Sequence, residues 1–216
     1  MKNLKLVMTE NGLTILGAAD AVKVVTIDHP LAKRIGDLYL HKNDIEFSKS
    51  CLDTINSTAD IVTREALWRS AIIHFAKCFG EGVRFLLMSE QIYKGFPQEA
   101  QEAFLYFKLL RNKHIIHDEN SYNQSFTCAA LNNGTKAYQI EEIQCLSMTS
   151  STLDAAHWES LKALIDRALE WVTSEFDICC DKLKEILEKE TYENNISRPT
   201  PQFTVPTAQG IGHERI

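Results

Sequence analysis

Ionisable side chains are concentrated in one stretch of the chain, "LYFKLLRNKHIIHDEN", which runs from Leu105 to Asn120. The stretch begins as an apolar, aromatic run and ends with an arginine, an amide, a lysine, two histidines and an aspartate. If it is helical, the apolar stripe of the helix continues into ionisable positions. The stripe contains Ala103, Phe104, Phe107 and Leu110, then Arg111, His114 and Asp118, with His117 at its edge. Burying such groups without partners is costly, so we expect this face to meet a cleft or a second copy of the chain.

Histidine and arginine are the residues of this stretch best suited to chemistry on a phosphate. A histidine titrates near neutral pH, and an arginine presents a rigid fork of donors to phosphate oxygens. Arg111 and His117 lie six positions apart, which leaves their side chains about 120° apart on one ideal helix. Either the helix loosens after Lys113 or a second chain completes the site. The alternative is that the helix ends near Asn112 and that a solvated loop follows.

The order of these residues resembles a known family signature. Arg111, the polar Asn112 and His117, with five residues between arginine and histidine, look like the R-x(4 to 6)-H motif of HEPN domains. These are the helical "higher eukaryotes and prokaryotes nucleotide-binding" domains, and "RNKHIIHD" is similar to their abortive-infection branch. The resemblance covers roughly residues 31–190. It implies a helical bundle in which the motif closes one long helix and another long helix follows. Many members are metal-independent endoribonucleases of toxin, defence or RNA-processing systems.

RNA cleavage without a metal needs a base for the 2′-hydroxyl proton and a cation for the phosphate charge. We assign the general acid or base to His117 and the phosphate clamp to Arg111, with Asn112 orienting the site or binding phosphate. The supporting candidates are Lys113, His114 and Asp118. The resemblance implies that two motifs face each other across a homodimer cleft. RNA or a nucleotide is the expected ligand, an antitoxin or regulatory protein is a further candidate partner, and no metal or other cofactor is expected.

Each supporting residue also has a purely structural interpretation. Asn112 and Lys113 fit a solvated helix end, and His114 fits a packed or hydrogen-bonded interface histidine. Asp118 fits a turn residue or a local partner of Arg111.

Two other functions stay open. An HD-type metal phosphohydrolase, also helical, needs a histidine, an adjacent His-Asp pair and a later aspartate. His74, His117 with Asp118, and either Asp154 or Asp166 fit that pattern loosely. A HEPN-like dimer can also bind nucleotides or a partner protein without catalysis. The sequence contains no Gly-rich phosphate loop, no G-x-S-x-G and no H-E-x-x-H, so P-loop, serine hydrolase and zinc protease chemistry have no support.

Composition places the chain among soluble globular proteins. Of its 216 residues 44% are hydrophobic and 24% charged, and the net charge of −6 argues against a broadly basic nucleic-acid surface. No apolar run reaches about eighteen residues, and the N-terminus lacks an apolar signal core, so we expect a cytoplasmic protein with no membrane contact. The six cysteines form no C-x-x-C pair, which favours reduced, mostly buried thiols.

Periodicity predicts the elements that must position the motif, in a mainly α fold. A HEPN-like helical domain is expected over residues 29–190, with a β-hairpin inserted near residues 125–148 around Asn132-Asn133-Gly134. Helices are predicted from Pro30, from the Ser/Thr/Asp cap region near residue 58, and from Pro97 into the motif. A long structural helix is predicted from about Leu153 to Glu188.

The two ends of the chain carry different patterns. Residues 1–28 are predicted to form a small β element, in which a hairpin at Asn11-Gly12 is followed by the β-branched run "VKVVTI". Residues 191–216 are polar and contain three prolines, which predicts a flexible tail.

Overall fold

The structure, a computed structural model, describes residues 5–9, 12–17 and 20–212. This part of the chain is mainly helical, as the sequence predicts. It divides into two compact units, one of Leu40–Thr173 and one of Met1–Tyr39 with Ser174–Ile216. The strands are β1 Lys5–Thr9, β2 Gly12–Leu16, β3 Asn123–Leu131 and β4 Ile140–Thr149; the helices are α1 Pro30–Ile55, α2 Ile61–Lys77, α3 Ser89–Ile92, α4 Gln98–Leu110, α5 Ala155–Leu187 and α6 Tyr192–Ser197. A π-helical turn, Arg111–Ile116, continues α4, and a 3-10 turn spans Ala208–Gly212.

The predicted N-terminal hairpin is present, but Gly12, predicted in its turn, is a strand residue. β1 and β2 pair antiparallel with Thr9 opposite Gly12. Residues 10 and 11, which include the predicted turn residue Asn11, lie outside the described residues.

The prediction of β structure for "VKVVTI" is wrong, because residues 22–27 form no strand. Thr26 donates its backbone N–H to the carbonyl of Pro199 at 2.8 Å. Lys23 Nζ donates to the carbonyls of Ile196 and Arg198 at 2.6 and 2.8 Å. A β-branched run forms a strand only where a neighbouring strand completes the ladder. Here its partner is the irregular segment after α6.

Capping residues explain where the first helices start. Pro30 opens α1, where its missing N–H costs nothing, and His29 Nδ1 accepts the backbone N–H of Leu31 at 3.0 Å. Asp60 caps α2 by accepting the backbone N–H of Thr63 at 2.7 Å.

The core of the Leu40–Thr173 unit is aromatic. Trp68 of α2 and Phe107 of α4 are fully buried and meet edge to face, with ring centroids 5.9 Å apart. α5 adds the buried side chains Leu161, Leu164, Ile165, Ala168 and Val172. Two polar atoms of this core have buried partners, since Trp68 Nε1 donates to Thr152 Oγ1 at 2.9 Å and Tyr93 Oη to the Leu164 carbonyl at 3.1 Å. A packed and hydrogen-bonded core therefore holds α4 in place.

An ion cluster within the same unit centres on Asp44 of α1, whose side chain is only 12% exposed. His74 Nδ1 lies 3.0 Å from its carboxylate, Lys77 Nζ 3.1 Å and Arg84 Nη1 2.5 Å. Burial raises the pKa of Asp44, but the hydrogen bonds from Arg84, His74 and Lys77 outweigh it and hold the pKa below its ordinary value.

The predicted hairpin insertion is confirmed as β3 and β4, which pair antiparallel over their full length. The connection contains Asn132-Asn133-Gly134, and Gly134 has a φ of +79°, a conformation that favours glycine. Every residue of β4 is exposed. The hairpin therefore extends into solvent.

The long helix α5 matches its predicted bounds closely. After it, residues 191–212, predicted as a tail, contain α6 and the 3-10 turn. Thr191 caps α6, and Arg198 pairs with Glu190 at 2.8 Å. Among the described helices, none combines the length and apolarity that a bilayer crossing requires.

Candidate active site at the end of helix α4

The predicted motif begins in a π-helical turn. Helix α4 continues beyond Leu110 into Arg111–Ile116, where the hydrogen bonds skip one residue more than in an α-helix. Such turns are rare and occur frequently at functional sites. The alternative of a solvated loop after Asn112 is therefore wrong, because the helix persists to Ile116. It ends before His117, and the Lys113 carbonyl closes the segment by accepting the backbone N–H of Glu119 at 2.8 Å.

Arg111, the first residue of the turn, is half-buried and only partly paired. Its Nη1 donates to the Asn112 side-chain oxygen at 2.7 Å. Its Nε is shielded from solvent and has no acceptor among the described residues. Buried donors are almost always satisfied, so an unpaired guanidinium N–H needs an explanation. An anionic ligand would supply one, because the guanidinium presents several donors in a fixed plane.

His114 is buried, with 6% of its surface exposed. Its ring lies against Tyr122, with centroids 5.3 Å apart, and its Nδ1 is buried without a partner among the described residues. The structural interpretation of His114 as a packed histidine is the one that this arrangement favours. Like Arg111 Nε, however, His114 Nδ1 is a buried polar atom without a hydrogen-bond partner among the described residues.

His117 lies just beyond the turn and is exposed. Its backbone is extended, with φ −125° and ψ 115°, so the chain leaves the helix at this residue. Among the described residues, no hydrogen bond joins its side chain to Arg111, whose Nη1 donates to Asn112. His117 helps lower the pKa of Glu119 electrostatically, after the larger effects of the hydrogen bond and charge of Lys113. One chain thus places the two motif residues at opposite ends of the turn.

The two remaining predicted residues make local contacts. Lys113 forms an exposed salt bridge with Glu119. Asp118 accepts a hydrogen bond from the Asn123 amide at 2.7 Å, which ties the end of the motif to the first residue of β3. The prediction that Asp118 lies on the same stripe as Arg111 is wrong, because the helix ends before it. Lys113 and Asp118 therefore help to fix the segment that follows the turn.

Sequence reasoning missed a neighbouring polar group that involves Tyr106, Asp154 and His157. The ring of Tyr106 stacks on that of His157, with centroids 4.8 Å apart and planes 19° from parallel. His157 Nδ1 lies 2.6 Å from Asp154 Oδ2, and its backbone N–H donates to Oδ1 at 2.8 Å. Asp154 and His157 lie three residues apart at the start of α5, a spacing that also serves as a helix cap. From the sequence alone, Asp154 and His157 could therefore not be told apart from an ordinary helix cap.

Tyr106 links this group to the motif. Burial raises the pKa of its phenol, and the neighbouring hydroxyl of Tyr122 raises it further. Its Oη is buried and has no partner of acceptable geometry within the described part of the chain. Tyr122 is also the residue that packs against His114. Polar atoms without partners thus gather around the residues that follow α4.

The metal-ligand set of an HD phosphohydrolase is not assembled. His74 contacts Asp44, Asp154 contacts His157, and Asp166 pairs with lysines of α1 and α5. No group of three or more His, Cys, Asp or Glu side chains among the described residues is placed to hold a metal ion.

No family model matches the chain, and comparison with curated proteins and with solved structures gives no match.

Proposed function

We propose that the protein is a metal-independent endoribonuclease of the HEPN type, in which two copies of the chain each supply Arg111 and His117 to one cleft. The observation that carries this proposal is the π-helical turn. It begins at an arginine with a buried, unpaired Nε among the described residues and ends at an exposed histidine. A guanidinium with a spare donor can hold a phosphate oxygen, and an exposed imidazole can exchange protons with a substrate.

The chemistry requires both residues. His117 takes the proton of a ribose 2′-hydroxyl as the 2′ oxygen attacks the adjacent phosphorus, and Arg111 stabilises the charge that develops on the phosphate oxygens. The P–O5′ bond breaks, and the leaving 5′ oxygen takes a proton from the other copy's His117. The products are a 2′,3′-cyclic phosphate and a 5′-hydroxyl.

The separation of Arg111 and His117 within one chain supports a two-chain site. A base and a phosphate clamp act on the same phosphodiester and must both lie within hydrogen-bond reach of it. Two turns related by a two-fold axis allow the arginine of one copy to approach the histidine of the other. A second histidine is then available as the general acid.

The test is incubation with mixed cellular RNA in excess EDTA, with analysis of the cleaved ends. Wild type is expected to leave 2′,3′-cyclic phosphates, and His117→Ala is expected to lower the rate by about 100-fold or more. Arg111→Ala is expected to do the same. Lys108→Ala is the control, because Lys108 is an exposed cation in the last turn of α4.

Other outcomes would replace the proposal. Activity that EDTA abolishes and that requires Asp118 would favour the metal phosphohydrolase. A wild type that cleaves no RNA, while the folded His117 and Arg111 variants differ from it in nucleotide binding, would favour the non-catalytic module.

A further inference from the structure

The β3–β4 hairpin exposes apolar side chains on both of its faces. Phe126 and Leu146 lie directly opposite each other and are 61% and 62% exposed. On the other face Ile143, beside Ala129, is 57% exposed, and Leu131 opposite Ile140 is 71% exposed. A two-stranded hairpin on its own is only marginally stable in water. β3 and β4 are nine and ten residues long, and we expect a further strand to stabilise this two-stranded sheet.

The free edge of β3 offers backbone groups for such an extension. Among the described strands, β3 pairs with β4 alone. The Ser150 backbone N–H donates to the Tyr122 carbonyl at 2.8 Å, which fixes the alternation of hydrogen-bonded pairs along the hairpin. Ser125 and Ser147, directly opposite each other, then form a non-hydrogen-bonded pair. Their backbone N–H groups point away from each other, to the two outer edges of the hairpin.

The two edges differ in charge. β3, "NQSFTCAAL", contains no charged residue and no proline, whereas β4 contains Glu141 and Glu142. Proteins usually protect free edges with charges, prolines or bulges, and the one register shift here lies at the far end, between Ala130 and Leu131. Because the chain carries a net charge of −6, two copies repel each other in general. β3 contains no charged residue, so its edge adds no like-charge repulsion of its own when two copies approach.

We propose that β3 pairs antiparallel with β3 of a second copy, which produces a four-stranded sheet in the order β4, β3, β3, β4. An antiparallel strand pair of this kind has two-fold symmetry, so this contact by itself joins only two copies. It satisfies the outward backbone groups of Ser125 and Thr127 and joins the apolar surfaces around Phe126 of the two copies. This surface is distinct from the motif face, and the inference does not depend on RNA cleavage.

The test compares Ser125→Pro with Ser147→Pro by light scattering at micromolar concentration. Each proline removes one N–H from an outer edge and leaves the β3–β4 ladder intact. Wild type and Ser147→Pro are expected to have the same mass, and Ser125→Pro half of it. The two variants lose the same atoms from the two members of one pair, so Ser147→Pro controls for any effect of proline on the hairpin.

A second pair of variants covers the case in which a proline unfolds the hairpin. Ser125→Lys places a charge at the proposed interface, and Ser147→Lys places it on the outer edge; only the former is expected to halve the mass. A monomeric wild type would overturn the proposal, even if the hairpin binds another protein. So would a folded Ser125→Lys variant of wild-type mass. A wild type that cleaves RNA in EDTA as an oligomer and whose mass Ser125→Lys leaves unchanged would count against β3 pairing alone, and an inert dimer that Ser125→Lys dissociates would count against the nuclease alone.

Discussion

Helix α4 and the turn that follows it form one continuous helical stretch with two different kinds of packing. α4 buries the apolar side chains Phe104, Phe107 and Leu110 and leaves one buried polar atom, Tyr106 Oη, without a partner among the described residues. The turn buries Arg111 Nε and His114 Nδ1 with no partner among the described residues. A folded chain tolerates such unpaired atoms at a cost in stability, and they are concentrated where function requires them. The contrast separates the part that holds the site from the part that would bind a ligand.

The Asp44 cluster differs from the turn because its buried polar group has hydrogen-bond partners. Its carboxylate has three nitrogen partners, His74 and Lys77 of α2 and Arg84 of the segment after it. The same unit therefore supplies hydrogen-bond partners for a largely buried carboxylate. The buried atoms of the turn, which have no partner among the described residues, stand out by comparison.

The largest effect is expected from Phe107→Ala, which leaves a cavity where α4 meets Trp68. We expect the free energy of unfolding to fall by about 3 to 5 kcal/mol. Leu105→Ala is the matched control, because Leu105 lies on the same helix and is 53% exposed; its cost is expected to be below about 1 kcal/mol. Urea denaturation measures both. Equal losses would mean that the exposed face of α4 is also covered.

A smaller effect is expected from Asp44→Asn, at about 2 kcal/mol near neutral pH, because Arg84 and Lys77 lose a charged acceptor and His74 loses a carboxylate partner. The pKa of Asp44 is lowered on folding, so its contribution is present above the ordinary value of 3.8 and disappears as pH falls through the folded value. The difference between wild type and variant should therefore shrink below pH 3.8.

Urea titrations at neutral and acid pH test this, with Asp53→Asn as the control on the exposed side of α1. A difference that stays constant through the acid range would show that Asp44 contributes through packing and not through its charge.

The smallest effect is expected from His114→Leu. Removal of a buried ring nitrogen without a partner relieves a desolvation cost, which offsets the lost contact with Tyr122. We expect a change of less than about 1 kcal/mol in either direction by thermal or urea denaturation. A loss as large as that of Phe107→Ala would remove the distinction between α4 and the turn.

Local signals in the sequence were sufficient for the long helices α1, α2, α4 and α5, but not for α6, which lies in the predicted tail. Pro30 and Asp60 act through the chain next to them, and the apolar spacing of α5 repeats over 33 residues. The hairpin followed from Asn132-Asn133-Gly134 between two β-compatible runs. Where a run depended on a distant partner, as with residues 22–27 beside Pro199, its residue types predicted the wrong structure.

For the site, the sequence by itself determined which ionisable residues follow α4, because residue types and their spacing are properties of the sequence. Tertiary structure alone decided that the helix widens into a π turn, that His114 is buried and that His117 is exposed. It also brought Tyr106 against His157 across 51 positions, a contact for which neither residue carries a local signal. The physical reason is that burial and pairing depend on the surfaces that meet in space, whereas periodicity records only the face that a residue occupies on its own element.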